Sequence, residues 1–207
     1  MQEEVVNNYL LWELFKPYIR SLIIHPRTPQ DRIEQIIQNN RSKLESENLT
    51  FHEKLNRVKS FSPRSSRANY FANFSWTREN YQIRDLGTVL PECGDLPLDI
   101  ITRSLYDVIE YVKKRRDESN QETSVRYITD LVKIPDVLTM FPPIVVEPGS
   151  LQRNIGVMKR HHGSGNWDIH PTLGYIEDGN HRAIAMAVVR NLKSIPCYVG
   201  KLTKDQR

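Results

Sequence analysis

From Asp178 to Arg182 the chain sets an acid, a glycine, an amide, an imidazole and a guanidinium on consecutive positions. The surrounding segment, Tyr175-Ile-Glu-Asp-Gly-Asn-His-Arg-Ala-Ile-Ala-Met-Ala187, reads as a short strand, a turn at Asp178-Gly179 and a helix. Such a junction suits an anion, because the first turn of a helix carries backbone N–H groups outside the ladder and the positive end of the helix dipole. The chemistry expected there is the gripping of a phosphate.

The elements that must position this turn are legible around it. Phe141-Pro-Pro-Ile-Val-Val146 is expected to be a short β-branched strand, Gly174 to Glu177 a second, and Ser194-Ile-Pro-Cys-Tyr-Val199 a third. Between the last two, Asn180 to about Leu192 is expected to be helical, with Ile184, Val188 and Leu192 inward. Tyr81-Gln-Ile-Arg-Asp-Leu86 alternates like a half-buried strand. Pro97 to Arg116 reads as a helix, with Ile101, Leu105, Val108, Ile109 and Val112 on one face. Its terminal Lys113-Lys-Arg-Arg116 suits the helix dipole and needs no ligand. Residues 125–140 read as a helix interrupted by Pro135. Strand, helices, two strands, helix and strand in that order predict an α+β (or α/β) domain.

Residues 1–60 are expected to be core-packing helices. Val5, Val6, Leu10, Leu14 and Tyr18 approximate one face, widened by Leu11 and Phe15, and Pro17 is expected to kink or end that helix. Thr28 is expected to cap a second helix, with Pro29 in its first turn and Ile33, Ile36 and Ile37 inward. Thr50 and Glu53 are expected to form a capping box ahead of a third, carrying Leu55 and Val58. Lys59 to Arg67 reads as an exposed Ser/Arg connector. The aromatic stretch Asn69 to Trp76 is expected to pack rather than to stack on bases. The expected division is therefore a helical extension over 1–75 and the α+β domain over 76–207.

Composition bounds the rest. The 207 residues carry a net charge of +4, which permits an anionic ligand without demanding nucleic acid. No stretch approaches the ~18 apolar residues of a membrane span. Met1-Gln-Glu-Glu4 lacks the charged and apolar regions of a signal peptide. Cys93 and Cys197 form no motif. A cytoplasmic chain with reduced thiols and no membrane contact is the expectation.

Phe-Pro-Pro-Ile-Val-Val (141–146), Tyr-Ile-Glu-Asp-Gly-Asn-His-Arg-Ala-Ile-Ala (175–185) and Ile-Pro-Cys-Tyr-Val (195–199) together resemble the ParB/sulfiredoxin superfamily. There a "pPi-V" strand precedes a "dG-HR--A" turn and helix, and an "-iP--v" strand follows. Pro97-Leu-Asp-Ile-Ile-Thr-Arg-Ser104 is a weaker echo of the family's "PL---R" stretch. The resemblance covers roughly residues 80–200 and implies a small mixed-sheet domain with phosphates bound on the Gly-x-His-Arg turn. On that basis Gly179 lets the backbone approach a phosphate, and Asn180, His181 and Arg182 donate to its oxygens. Sulfiredoxins carry a reactive cysteine between the glycine and the histidine. Asn180 stands there instead, which argues against sulfinic-acid reduction. Partition-type members carry a helix-turn-helix domain after this module. The chain ends at Arg207, so a partition role is not expected. The free-serine kinase branch has an Asp-Gly-His-His-Arg turn, and Asp178 to Arg182 differs from it at one position.

The resemblance implies a nucleotide ligand (ATP, ADP or CTP). A carboxylate beside a phosphate repels it unless it holds Mg²⁺ or acts as a base. Glu177 and Asp178 face opposite sides if the strand persists, and Asp178, at the turn, is the expected functional acid and metal ligand. His181 and Glu177 complete the catalytic candidates, and Glu147 is a lesser one. Capping or turn stabilisation explains Asp178 equally well. His161, His162, His170 and His181 match no compact zinc spacing. The basic run Lys159-Arg-His-His162 suits a lid over an anionic substrate. The expected function is a Mg²⁺-dependent phosphotransferase or nucleotide hydrolase that takes a small hydroxyl substrate or water. The alternatives are a ParB-like nuclease or DNA-binding regulator, with nucleic acid as partner, and a non-catalytic nucleotide switch.

Overall fold

The computed structural model describes residues 1–61, 65–88, 96, 104–147 and 174–202. These form α-helices and one mixed five-stranded sheet, an α+β protein. The chain divides into two compact units at Trp76/Thr77. None of the described helices is long and apolar enough to cross a membrane. Cys93, the Pro97–Arg103 stretch, and the loop with Arg153, Lys159, Arg160, His161, His162 and His170 lie outside the described residues.

The first unit is helical: α1 (Gln2–Ile24), α2 (Gln30–Ser46), α3 (Phe51–Phe61) and α4 (Ser65–Asn73). α1 buries Val5, Val6, Tyr9, Leu10, Trp12, Phe15, Ile19 and Leu22. Tyr18, expected on that face, is 41% exposed instead. The inward stripe follows Phe15, Ile19 and Leu22, and Tyr18 falls between its rows. Nor does Pro17 end the helix, which runs through it to Ile24. A proline removes one ladder bond and crowds one carbonyl. Here it lies on the exposed side, opposite a buried face that continues on both sides of it.

Thr28 does not cap α2. Pro29 occupies the N-cap position with ψ 139°, and the Thr28 hydroxyl donates back to His25 O at 2.7 Å. Thr50 and Glu53 do form the capping box. A Glu53 carboxylate oxygen accepts from the Thr50 hydroxyl at 2.6 Å and its amide at 2.8 Å, and the Glu53 amide donates to Thr50 Oγ1 at 3.3 Å. Those bonds hold the Glu53 carboxyl below its ordinary value of 4.5. A carboxyl depressed in the folded state contributes stability above its unfolded value, and loses it as pH falls through the folded value. NMR titration is therefore expected to place the Glu53 midpoint below 4.5, and Thr50→Val to raise it.

The expected Ser/Arg connector is largely helical, α3 reaching Phe61 and α4 starting at Ser65. Arg67 is buried, donates to the Tyr9 hydroxyl at 3.3 Å and lies over the Tyr9 ring. Tyr70, Phe71, Phe74 and Trp76 are buried, and Phe71 packs on Tyr9 and Trp76. These aromatics build the helical unit's own core, so their rings are not displayed for bases.

Most of the sheet, in the order β1-β5-β3-β4-β2, falls in the second unit, whose first residue, Thr77, is within β1. β1 is Phe74–Gln82, β2 Leu86–Thr88, β3 Ile144–Val146, β4 Gly174–Asp178 and β5 Ser194–Leu202. The expected strand over 81–86 is broken by a 3₁₀ turn at Ile83–Asp85, which separates β1 from β2. β3 runs parallel to β5 and antiparallel to β4, with Ile144 opposite Asp178, and β2 is parallel to β4. The helices are α5 (Leu105–Arg115), α6 (Thr123–Leu131), α7 (Pro135–Met140) and α8 (Asn180–Arg190). Ser104 caps α5 by accepting from the Asp107 amide. Pro135 starts α7 rather than interrupting one longer helix. α8 packs against α5, α6, α7 and β5. Its Ala183, Ile184, Ala185, Met186 and Ala187 are buried, while Val188 and Leu192 are half-buried.

Candidate functional site

β4 carries Tyr175 and Ile176 into the core and ends at Asp178. Gly179 follows with φ 89° and ψ 28°, a left-handed conformation that strains any side chain. The first helix bond joins the Ala183 amide to Gly179 O at 2.8 Å, so the amides of Asn180, His181 and Arg182 form the helix's opening turn ahead of the ladder. That turn contains no acid, and Gly179 brings no side-chain cap. Strand, turn and helix start are thus arranged as the sequence suggested, and the left-handed glycine is what the structure adds.

Arg182 reaches back across the turn to Asp178. Its Nη2 donates to Oδ2 at 2.7 Å, and both side chains are 4% exposed. The guanidinium lies flat against Gly179, where a Cβ would sit 2.7 Å from Nη2, 3.0 Å from Cζ and 3.1 Å from Nε. Glycine is therefore demanded twice here, by φ and by the approach of the guanidinium. The pair has chemical consequences. A carboxylate held by a buried guanidinium has its charge balanced, which serves structure more readily than proton abstraction. Among the described residues, no three His, Cys, Asp or Glu side chains are grouped as a metal ion would need.

The other candidates divide. Asn180 is 1% exposed, and its Nδ2 donates to Ile176 O at 3.4 Å, tying the helix start to its own strand. His181 is half-buried on the opening turn of α8. Its Nε2 lies 3.4 Å from the Ser124 hydroxyl, and its ring meets Tyr127 edge to face at 5.1 Å. Glu177 is half-buried, in contrast to Asp178. Glu147 is not brought to the turn. It follows β3 at the Gly174 end of β4, whereas Asp178 is at the other end. There Lys201 Nζ lies 3.1 Å from Glu147 and 3.5 Å from Glu79. The Glu147 partner raises the Lys201 ammonium above its ordinary value.

Ser124 and Tyr127 were not legible as site residues. They precede His181 by more than fifty positions and meet it through the packing of α6 on α8. Tertiary contact created that neighbourhood, and no local pattern announces it.

Cys197 is buried in β5, and burial pushes its thiol up to about 12. It is expected to resist iodoacetamide in the native protein near pH ~8 and to react once the chain is unfolded. Peptide mapping of the labelled protein reads this directly.

Comparison with family models, with curated proteins and with solved structures finds no match to this chain.

Proposed function

We propose that the chain is a cytoplasmic nucleotide-binding protein of the ParB/sulfiredoxin-like kind, whose β4–α8 turn receives a nucleotide's phosphates. One observation carries the reading: a strand ends at Asp178, a left-handed glycine follows, and an acid-free helix turn opens at Asn180. Backbone amides at such a turn, with the helix dipole behind them, favour phosphate oxygens. His181 adds a donor at the same place, and Arg182 adds one when a phosphate draws it from Asp178. With Mg²⁺, and with a small hydroxyl compound or water as second substrate, the activity is a phosphotransferase or hydrolase. ATP, ADP and CTP are the nucleotides to test first.

A non-catalytic nucleotide switch is the second reading, and the buried Asp178–Arg182 pair favours it. A phosphate that takes the guanidinium leaves the carboxylate to find a new partner, and so couples binding to a rearranged turn. The nucleic-acid reading draws less support, since Arg67 and the Tyr70–Trp76 aromatics are buried in the helical unit.

A thermal-shift screen with ATP, ADP, CTP and GTP, with and without Mg²⁺, tests the proposal. A ligand that binds only the folded protein raises its melting temperature. At least one nucleotide is expected to do so, and His181→Ala to reduce the rise. If none does, the reading fails. Salt-sensitive retention on DNA in its place would favour the nucleic-acid alternative.

A further inference from the structure

We propose that Ser124 and Tyr127, on α6, complete the site by holding His181 as its proton-carrying group, the task for which Asp178 was the first candidate. The inference rests on the phosphate-binding reading of the β4–α8 turn and assigns roles within it.

The geometry separates the two candidate bases. Asp178 is bound to Arg182 at 2.7 Å with both side chains buried, so taking a proton there would dissolve an ion pair in the interior. His181 lies on the same turn, is half-buried, and carries an imidazole, the side chain that ordinarily exchanges a proton near neutral pH. Its ring is restrained on two sides. Ser124 Oγ lies 3.4 Å from Nε2, and the Tyr127 ring stands at 89° to the imidazole. A separation of 3.4 Å is long for a hydrogen bond, as such contacts often are before a ligand closes the site.

Ser124 is a polar side chain on a buried face. It is 4% exposed, next to the buried Val125, in a helix whose inward face is otherwise apolar. The residue before the helix, Glu122, makes no side-chain cap. Its carboxylate accepts instead from the Tyr111 hydroxyl at 2.5 Å and pairs with Arg115. The α6 end facing His181 therefore presents a hydroxyl and an aromatic ring.

In the proposed step, a hydroxyl of the small substrate, or water, attacks the terminal phosphorus of the bound nucleotide. The new O–P bond forms, the P–O bond to the leaving nucleoside diphosphate breaks, and the attacking group's proton passes to Nδ1 of the neutral His181 imidazole, whose Nε2 faces Ser124; the imidazolium so formed is then the donor to the phosphate. Ser124 and Tyr127 are positioning residues, because they act through the imidazole.

The test uses the full chain labelled with ¹⁵N. Long-range ¹H–¹⁵N spectra report the tautomer of each histidine, and His181→Gln identifies the His181 signals. In the wild type one neutral tautomer is expected to dominate at His181. Ser124→Ala should shift its ring signals toward a mixture, while Ser124→Thr, which keeps the hydroxyl, should retain the wild-type pattern. In parallel, turnover of Mg²⁺·ATP should fall by about 10²- to 10⁴-fold in His181→Gln. In Ser124→Ala it should fall by about 10- to 100-fold, with KM for the nucleotide little changed. If Ser124→Ala leaves the His181 spectrum as in the wild type, or Ser124→Thr behaves like Ser124→Ala, the positioning role is overturned. If the wild type binds no nucleotide in the thermal screen, the phosphate reading fails. The imidazole spectra separate that failure from the failure of the present inference.

Discussion

Arg182→Met is expected to lower the stability of the folded protein by about 3–5 kcal/mol, the usual cost of leaving one member of a buried ion pair without the other. Methionine keeps the length and apolar stem of the side chain, so the loss measures the missing charge more than a cavity. Asp178 would then keep a carboxylate that is 4% exposed without the guanidinium 2.7 Å away. The matching experiment is a cycle with Asp178→Asn, read by urea denaturation. The double variant is expected to be more stable than the sum of the two single losses by at least about 1 kcal/mol, as for residues in direct contact. A loss below about 1 kcal/mol in Arg182→Met, typical of an exposed pair, would mean that the pair is open to solvent.

The second large effect is at Gly179. An alanine there must hold φ near 89°, at a cost of about 1–2 kcal/mol. It must also place its Cβ 2.7 Å from Arg182 Nη2. A guanidinium on a free surface would swing aside cheaply. This one is buried and bonded to Asp178, so moving it loosens the pair as well. The two costs together are expected to reach about 3 kcal/mol. The second part depends on the guanidinium, and in the Arg182→Met background Gly179→Ala should cost only the backbone strain. Equal losses in the two backgrounds, measured by the same urea titrations, would show that the guanidinium does not rest on Gly179.

Both predictions concern residues that the sequence marked out, but for different reasons than the structure supplies. The strand, turn and helix from Gly174 to Arg190 were legible because hydrophobic periodicity changes at a glycine, a local signal. The capping box at Thr50 and Glu53 was legible for the same reason, since its partners are three residues apart. The Asp178–Arg182 contact is also local, at i and i+4. Spacing alone did not say whether Arg182 would turn toward Asp178 or outward to a ligand.

The features that escaped depend on neighbours distant in sequence. Pro17 was expected to kink or end α1; it does not end it, since the buried face from Val5 to Leu22 carries the helix through it. Arg67 was read as part of a solvated connector, yet it is buried against Tyr9. Glu147, just after the Pro-Pro-Ile-Val-Val strand, was a lesser candidate for the acid. The antiparallel register of β3 and β4 sends it to the other end of the sheet. Ser124 had no local distinction, and only the packing of α6 on α8 places it beside His181. In each case tertiary packing decided what local pattern left open.

The central claim is that the turn from Gly179 to Arg182 receives a nucleotide's phosphates. The most direct measurement is a titration of Mg²⁺·ATP, and then CTP, into the ¹⁵N-labelled chain while its backbone amides are followed by NMR. A bound phosphate should move the amides of Gly179, Asn180, His181 and Arg182 most, in a saturable way, with smaller changes at Ser124. No saturable change with any nucleotide, or changes centred elsewhere while these four amides stay in place, would contradict the account.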